Sequence, residues 1–138
     1  MTNSRVFWKD LEQDLQDPEF VREYVAETIR IATIDSVMNA LESARTTLGL
    51  SKAELARAVQ VEPAAMRRMF SVEQPNPTLA TLSQIAAALG MRVTLEPFDT
   101  ADERAIAEPL RSGQVRDVKR LVRQLEVFQN RSLSPLHS

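Results

Sequence analysis

Between residues 50 and 82 the apolar positions fall at helical spacing in three short bursts, each with its own start signal. In the first, Leu55, Ala56 and Val59 share a face while Lys52, Glu54 and Arg57 are left to solvent or to a ligand. Ser51 and Glu54, three residues apart, form the pattern of a capping box, which predicts a helix start near Lys52. The second burst opens at Pro63, whose missing N–H costs nothing at a first helical position. Met66, Met69 and Phe70 make its buried edge, and Ala64, Arg67, Arg68 and Ser71 face out. Gln74-Pro75-Asn76-Pro77 cannot continue a helix, and Thr78 then caps a third one with Leu79, Leu82, Ile85, Ala86 and Leu89 as its apolar set. Gly90 ends it.

The flanks are helical too, with one exception. Phe7, Trp8, Leu11 and Leu15 mark a short amphipathic segment, and Asp17-Pro18-Glu19 restarts a helix with a cap, a first-turn proline and an acid at the positive end of the dipole. Phe20, Val21, Tyr24, Val25 and Ile29, then Ile34, Val37, Met38, Leu41, Ala44 and Leu48, carry that stripe on to Gly49. Over residues 91–96 the period changes to two, with Met91, Val93 and Leu95 on one side, and a short β-strand is predicted. A lone strand leaves its backbone groups unpaired, and the same strand in a second copy would pair them, so Met91, Val93 and Leu95 are the expected contacts of a two-fold dimer. The alternative is an extended, solvated tail. Residues 98–108 are acidic and predict a short helix starting near Asp99 or Thr100, with a boundary at Pro109 and Ser112-Gly113. From 114 to about 130 a long amphipathic helix carries Val115, Val118, Val122 and Leu125 on one face and Arg116, Lys119, Arg120 and Arg123 on the other. Residues 132–138 read as a frayed end.

These residues resemble the XRE or Cro/repressor-type helix-turn-helix family, in its HigA-like antitoxin branch. Leu50, Ser51, Glu54, Leu55, Ala56, Val61, Arg68, Asn76, Pro77, Leu79, Thr81, Leu82, Ile85, Ala86, Ala88, Leu89 and Gly90 carry the likeness, which spans roughly residues 34–97. It implies an all-α chain holding a five-helix, lambda-repressor-like helix-turn-helix domain, here with N-terminal helices, one short β-strand after the domain and a C-terminal amphipathic helix. Three organisational parts follow: an acidic helical arm (1–33), the DNA-binding domain with its terminal strand (34–97) and a helical extension (98–138). Where the pattern has its turn glycine, its capping serine and its acidic residue after the second helix, this chain has Gln60, Glu62 and Phe70. Gln60 is then required to take a φ that glycine takes more cheaply, and Arg45 has lost its usual acidic partner and is expected to be free for a phosphate.

Composition narrows the function. The chain has no cysteine and one histidine, His137, so disulfides, thiolate chemistry and histidine-dependent catalysis or metal binding have almost no material. No nucleophile stands beside a histidine and no glycine-rich phosphate loop occurs, so an enzyme, a metal site and a cofactor are not expected. No apolar run approaches the length of a membrane span, and a cytoplasmic location is the default. The net charge of −2 is unevenly placed: residues 1–35 hold four Lys/Arg against eight Asp/Glu, and residues 111–131 hold six against two.

The resemblance implies double-stranded DNA as partner, with the second short helix in the major groove. Arg67 is then the base reader, through a bidentate pair to guanine, and Ala64 offers a close methyl. Arg45, Lys52, Arg68 and Asn76 are assigned to phosphates. The leading function is a sequence-specific transcriptional repressor that is also the antitoxin and autorepressor of a toxin–antitoxin pair. The N-terminal helices either only cover the core or offer Phe7, Trp8, Leu11 and Leu15, an apolar anchor on an acidic arm, as the place where a cognate toxin would be held. Two alternatives stand beside it. One is a phage- or host-type repressor without a toxin, using the basic C-terminal helix as a second DNA contact; the other is a protein-interaction module that has lost DNA readout.

Overall fold

The structure, a computed structural model, describes residues 2–71 and 76–133. Gln74 and Pro75 of the predicted break, and the end from 134 to 138 with His137, lie outside the described residues. Among the described residues every regular element is helical: α1 Thr2–Asp14, α2 Pro18–Leu48, α3 Lys52–Val59, α4 Pro63–Met69, α5 Leu79–Ala88, α6 over residues 100–112 and α7 Val118–Leu133. None of these helices is long and apolar enough to cross a membrane.

The chain forms two compact units, one from residues 1–32 and 97–131, the other centred on residues 33–96. α2 supplies residues to both. Val21 and Val25 go to the core of the first unit, and Met38 and Leu41 to that of the second.

In the first unit Leu11 and Leu15 of α1, Val21 and Val25 of α2, Ala105 and Ile106 of α6, and Leu121, Val122 and Leu125 of α7 make one core. The acidic arm and the C-terminal extension, read apart in the sequence, are therefore packed together. Asp17 starts α2 by accepting the Glu19 N–H at 3.0 Å, and Asp99 starts α6 by accepting the Asp102 N–H at 2.8 Å. α6 does not stop at Pro109 as expected. Its Glu103–Ala107 stretch widens into a π-helical turn, and the helix continues to Ser112. Pro109 has no N–H to give and its ring would crowd a tight preceding turn, so the widened turn lets the chain pass it. Gly113, at φ +74, then reverses direction where an added Cβ would lie 2.7 Å from Pro18 Cβ. α7 begins at Val118, later than expected, with Asp117 accepting the Arg120 N–H at 3.1 Å.

Asp102 is the buried carboxylate of this unit. It accepts the Gln124 amide at 2.7 Å and the Arg131 guanidinium at 2.8 and 3.1 Å, so both oxygens are satisfied across α6 and α7.

In the second unit the later half of α2 packs with α3, α4 and α5 around Met38, Leu41, Leu55, Ala56, Met66, Ile85, Ala86 and Leu89. That is four helical pieces among the described residues, so the five-helix arrangement implied by the resemblance is corrected. The β-strand is corrected as well. Residues 91–99 form no regular element, and Arg92, Val93, Thr94 and Leu95 are all exposed, Leu95 to 98%. No neighbouring strand among the described residues takes their backbone groups, and no sheet face covers Val93 or Leu95. Met91 alone is half-buried against the core, and its N–H donates to Ala86 O at 2.7 Å to close α5.

Replacing Asp102 by alanine leaves Gln124 without its acceptor and removes the tie between α6 and α7. The expected loss is about 1–3 kcal/mol, read as a lower urea midpoint with an unchanged slope.

Candidate nucleic-acid interface

The surface of interest is built by how three helices end. α2, α3 and α5 all close with the N–H of one residue bonded to the carbonyl five residues back and its predecessor bonded to the turn before: Leu50 to Arg45 O at 3.1 Å, Val61 to Ala56 O at 2.9 Å, Met91 to Ala86 O at 2.7 Å. This closure needs a left-handed residue, supplied by Gly49 (φ +72) and Gly90 (φ +79) and, between α3 and α4, by Gln60 at φ 56° and ψ 43°. Gln60 is the non-glycine residue with positive φ among those described, the conformation expected of it from the sequence pattern. The turn of Gln60, Val61 and Glu62 leaves three residues between the end of α3 and the start of α4.

α3 starts as its sequence dictates. The Glu54 N–H donates to Ser51 Oγ at 3.0 Å and the Ser51 N–H donates to Glu54 Oε1 at 3.1 Å. The Ser51 backbone N–H holds the Glu54 carboxyl below its ordinary pKa, with the Ser51 side chain and Arg57 adding to the effect and slight burial opposing it. Glu62, in the place of a capping serine, makes no side-chain cap bond to α4, leaving Pro63 to open that helix.

Two sides of α4 then separate. Met66 is fully buried and Met69 and Phe70 are half-buried in the core, whereas Pro63, Ala64, Arg67 and Arg68 are exposed. Neither Arg67 nor Arg68 has a carboxylate partner among the described residues. Lys52, half-buried at the start of α3, and Asn76, exposed before α5, complete the set that remains available. Leu79, expected inside the core, is 67% exposed at the first position of α5. Thr78 does cap that helix, accepting the Thr81 N–H at 3.1 Å.

Arg45 is not free for a phosphate, which corrects the sequence expectation. Its guanidinium grips Glu42 one turn earlier, at 3.1 and 2.5 Å, and donates to Leu50 O at 2.6 Å. Glu42, a partner at i−3 on the same helix, takes the place of the acid expected at position 70 from the resemblance, and Arg45 becomes the clamp that fixes the loop into α3. The Arg45 hydrogen bond holds the Glu42 carboxyl below its ordinary pKa, with partial burial opposing it and the charges of Arg45 and Lys52 adding to it.

The residues expected to hold a protein partner are divided by the structure. Leu11 and Leu15 are inside the core of the first unit and unavailable. Phe7 is exposed, while Trp8 is half-buried against that core with Phe7 edge-on at 5.6 Å and the Lys119 ammonium 5.8 Å from its ring. Sequence reasoning missed Asp102 altogether; the available signal was its spacing, an acid three and four residues before Ala105 and Ile106 on one apolar face.

Two outcomes are expected. Gln60→Gly should raise stability by about 0.5–1 kcal/mol in urea unfolding, since the left-handed cost disappears and only chain entropy opposes it. Glu42, with its folded pKa depressed, stabilises above its ordinary value of 4.5, and that contribution is lost as the pH falls through the lower folded value. The stability gap between wild type and Glu42→Gln, followed by circular dichroism, should accordingly narrow on acidification. Compared with family models, with curated proteins and with solved structures, the chain matches none.

Proposed function

We propose that this chain is a sequence-specific DNA-binding transcriptional repressor whose helix α4 enters the major groove. One observation carries the reading: Ala64, Arg67 and Arg68 are exposed on a two-turn helix whose other side is buried through Met66, and neither arginine is neutralised by a described carboxylate. In this reading Arg67 pairs with guanine O6 and N7 and Ala64 permits close approach. Arg68, Lys52 and Asn76 hold phosphates. Arg45 is removed from the contact set and acts as scaffold.

The narrower role, antitoxin and autorepressor of a toxin–antitoxin pair acting as a cytoplasmic homodimer, rests on the family resemblance. A toxin would have Phe7 and part of Trp8 to hold, since Leu11 and Leu15 are committed to the core. That burial favours the second reading, a repressor without a toxin. The dimer rests on exposed Val93 and Leu95, which a second copy would cover, and a clean monomer in sedimentation at micromolar concentration would remove it.

The decisive experiment titrates the chain against its own promoter DNA and against scrambled DNA at two salt concentrations. Promoter-selective, salt-dependent binding is expected. Arg67→Ala should cost about 1–3 kcal/mol on the operator and relax one base pair, while Arg68→Ala weakens all sequences alike. Equal losses on both DNAs for Arg67→Ala would reject its role as base reader, and unselective binding by the wild type would reject the repressor.

A further inference from the structure

A cleft of about 730 Å³ opens in the first unit beside the segment joining α6 to α7. Its walls carry four guanidiniums, Arg104, Arg111, Arg116 and Arg120, against two carboxylates, Glu108 and Asp117. Neither carboxylate forms an ion pair with any of the four among the described residues. Asp117 is engaged as the cap of α7 through the Arg120 N–H, and Arg111 is engaged with Glu103. Arg104, Arg116 and Arg120 are exposed and have no described ion-pair partner. Like charges lining one cleft repel one another, and a multivalent anion seated among them turns that repulsion into attraction.

The floor is set by packing. Ala105 and Leu121 belong to the buried core, Pro109 is buried, and Val115 is half-buried. Arg104 and Arg120 each directly precede one of those core residues, so their backbone is anchored even though their side chains reach solvent. Apolar floor, cationic walls and this volume together fit a small molecule with a charged end. Guanidinium forks match the geometry of phosphoryl oxygens, which present more acceptors and more charge than a single carboxylate.

We propose that this cleft binds a small phosphorylated anion of nucleotide size, with Arg104, Arg116 and Arg120 on its phosphoryl oxygens and its remainder on the floor of Ala105, Pro109 and Val115. The site shares no residue with the α4 surface, so it stands or falls independently of the DNA reading.

The test is calorimetric titration of the full chain with inorganic pyrophosphate and with adenosine diphosphate at low salt, with random duplex DNA in a parallel arm. Saturable binding of both anions is expected, with a dissociation constant of about 1 mM or below and the diphosphate nucleoside the tighter because it also covers the floor. The pair Arg116→Ala and Arg120→Ala should weaken binding by about tenfold or more. Arg120→Lys, which keeps the charge and loses the fork, should fall between, and Arg67→Ala should change nothing. No saturable binding, undiminished binding by the double variant, or an equal loss in Arg67→Ala would overturn the site. Binding of duplex alone, weakened by the double variant, would assign the cleft to a nucleic-acid backbone and overturn the small-molecule assignment.

Discussion

Helices of seven and eight residues do not hold themselves together in water, because nucleating a helix costs more than two turns of hydrogen bonds return. α3 and α4 exist because each lays its apolar residues on the other and on α5, with Leu55, Met66 and Ile85 fully buried where they meet. The capping box orients α3, and the left-handed Gln60 turns the chain in time for Met66 to come in beside Leu55. Arg45 holds the loop that delivers Ser51 to its capping position.

This arrangement decides which side chains are left for function. A helix as short as α4 has one buried face and one exposed face of a few residues each, so its outward content is almost fully specified by its inward content. With Met66, Met69 and Phe70 inward, Ala64, Arg67 and Arg68 are what the surface receives. The same economy explains the tolerance of Glu62 in place of a capping serine. Pro63 presets φ at the first helical position, and the core contact of Met66 supplies the stabilisation that a cap bond would otherwise add.

The caps, the helical periods and the turn residue were readable because each is local: a hydroxyl and a carboxylate three residues apart, a proline at a first turn, a gap where glycine is usual. What could not be read depended on partners distant in sequence. Met91, Val93 and Leu95 alternate as a strand does, yet alternation becomes a strand only when another strand meets it, and none among the described residues does. For Leu11 and Leu15 the sequence leaves core cover and partner anchor both open, and only the placement of α7 against them decides for the core. Arg45 looked free because the residue at 70 is apolar, while Glu42 stood one turn away on the same helix at a spacing that pairs charges as a matter of course. Pro109 read as a stop because a tight helix cannot carry it, and the π-helical turn before it is a solution visible only in three dimensions.

The net charge of −2 concealed the most useful distinction among the cations. Arg30, Arg45, Arg111 and Arg131 are each matched to a carboxylate, Glu27, Glu42, Glu103 and Asp102 in turn. Exposed, unmatched arginines occur at positions 67 and 68 on α4 and at positions 104, 116 and 120 around one cleft. An exposed arginine pair contributes little to folding, so leaving a cation unmatched costs the fold almost nothing and keeps its donors available. The acid at the amino end sets the sign of the whole chain, and Glu12 of that arm lines one pocket with Arg116. In the readings proposed above a polyanion meets these two groups, and the total charge says nothing about either.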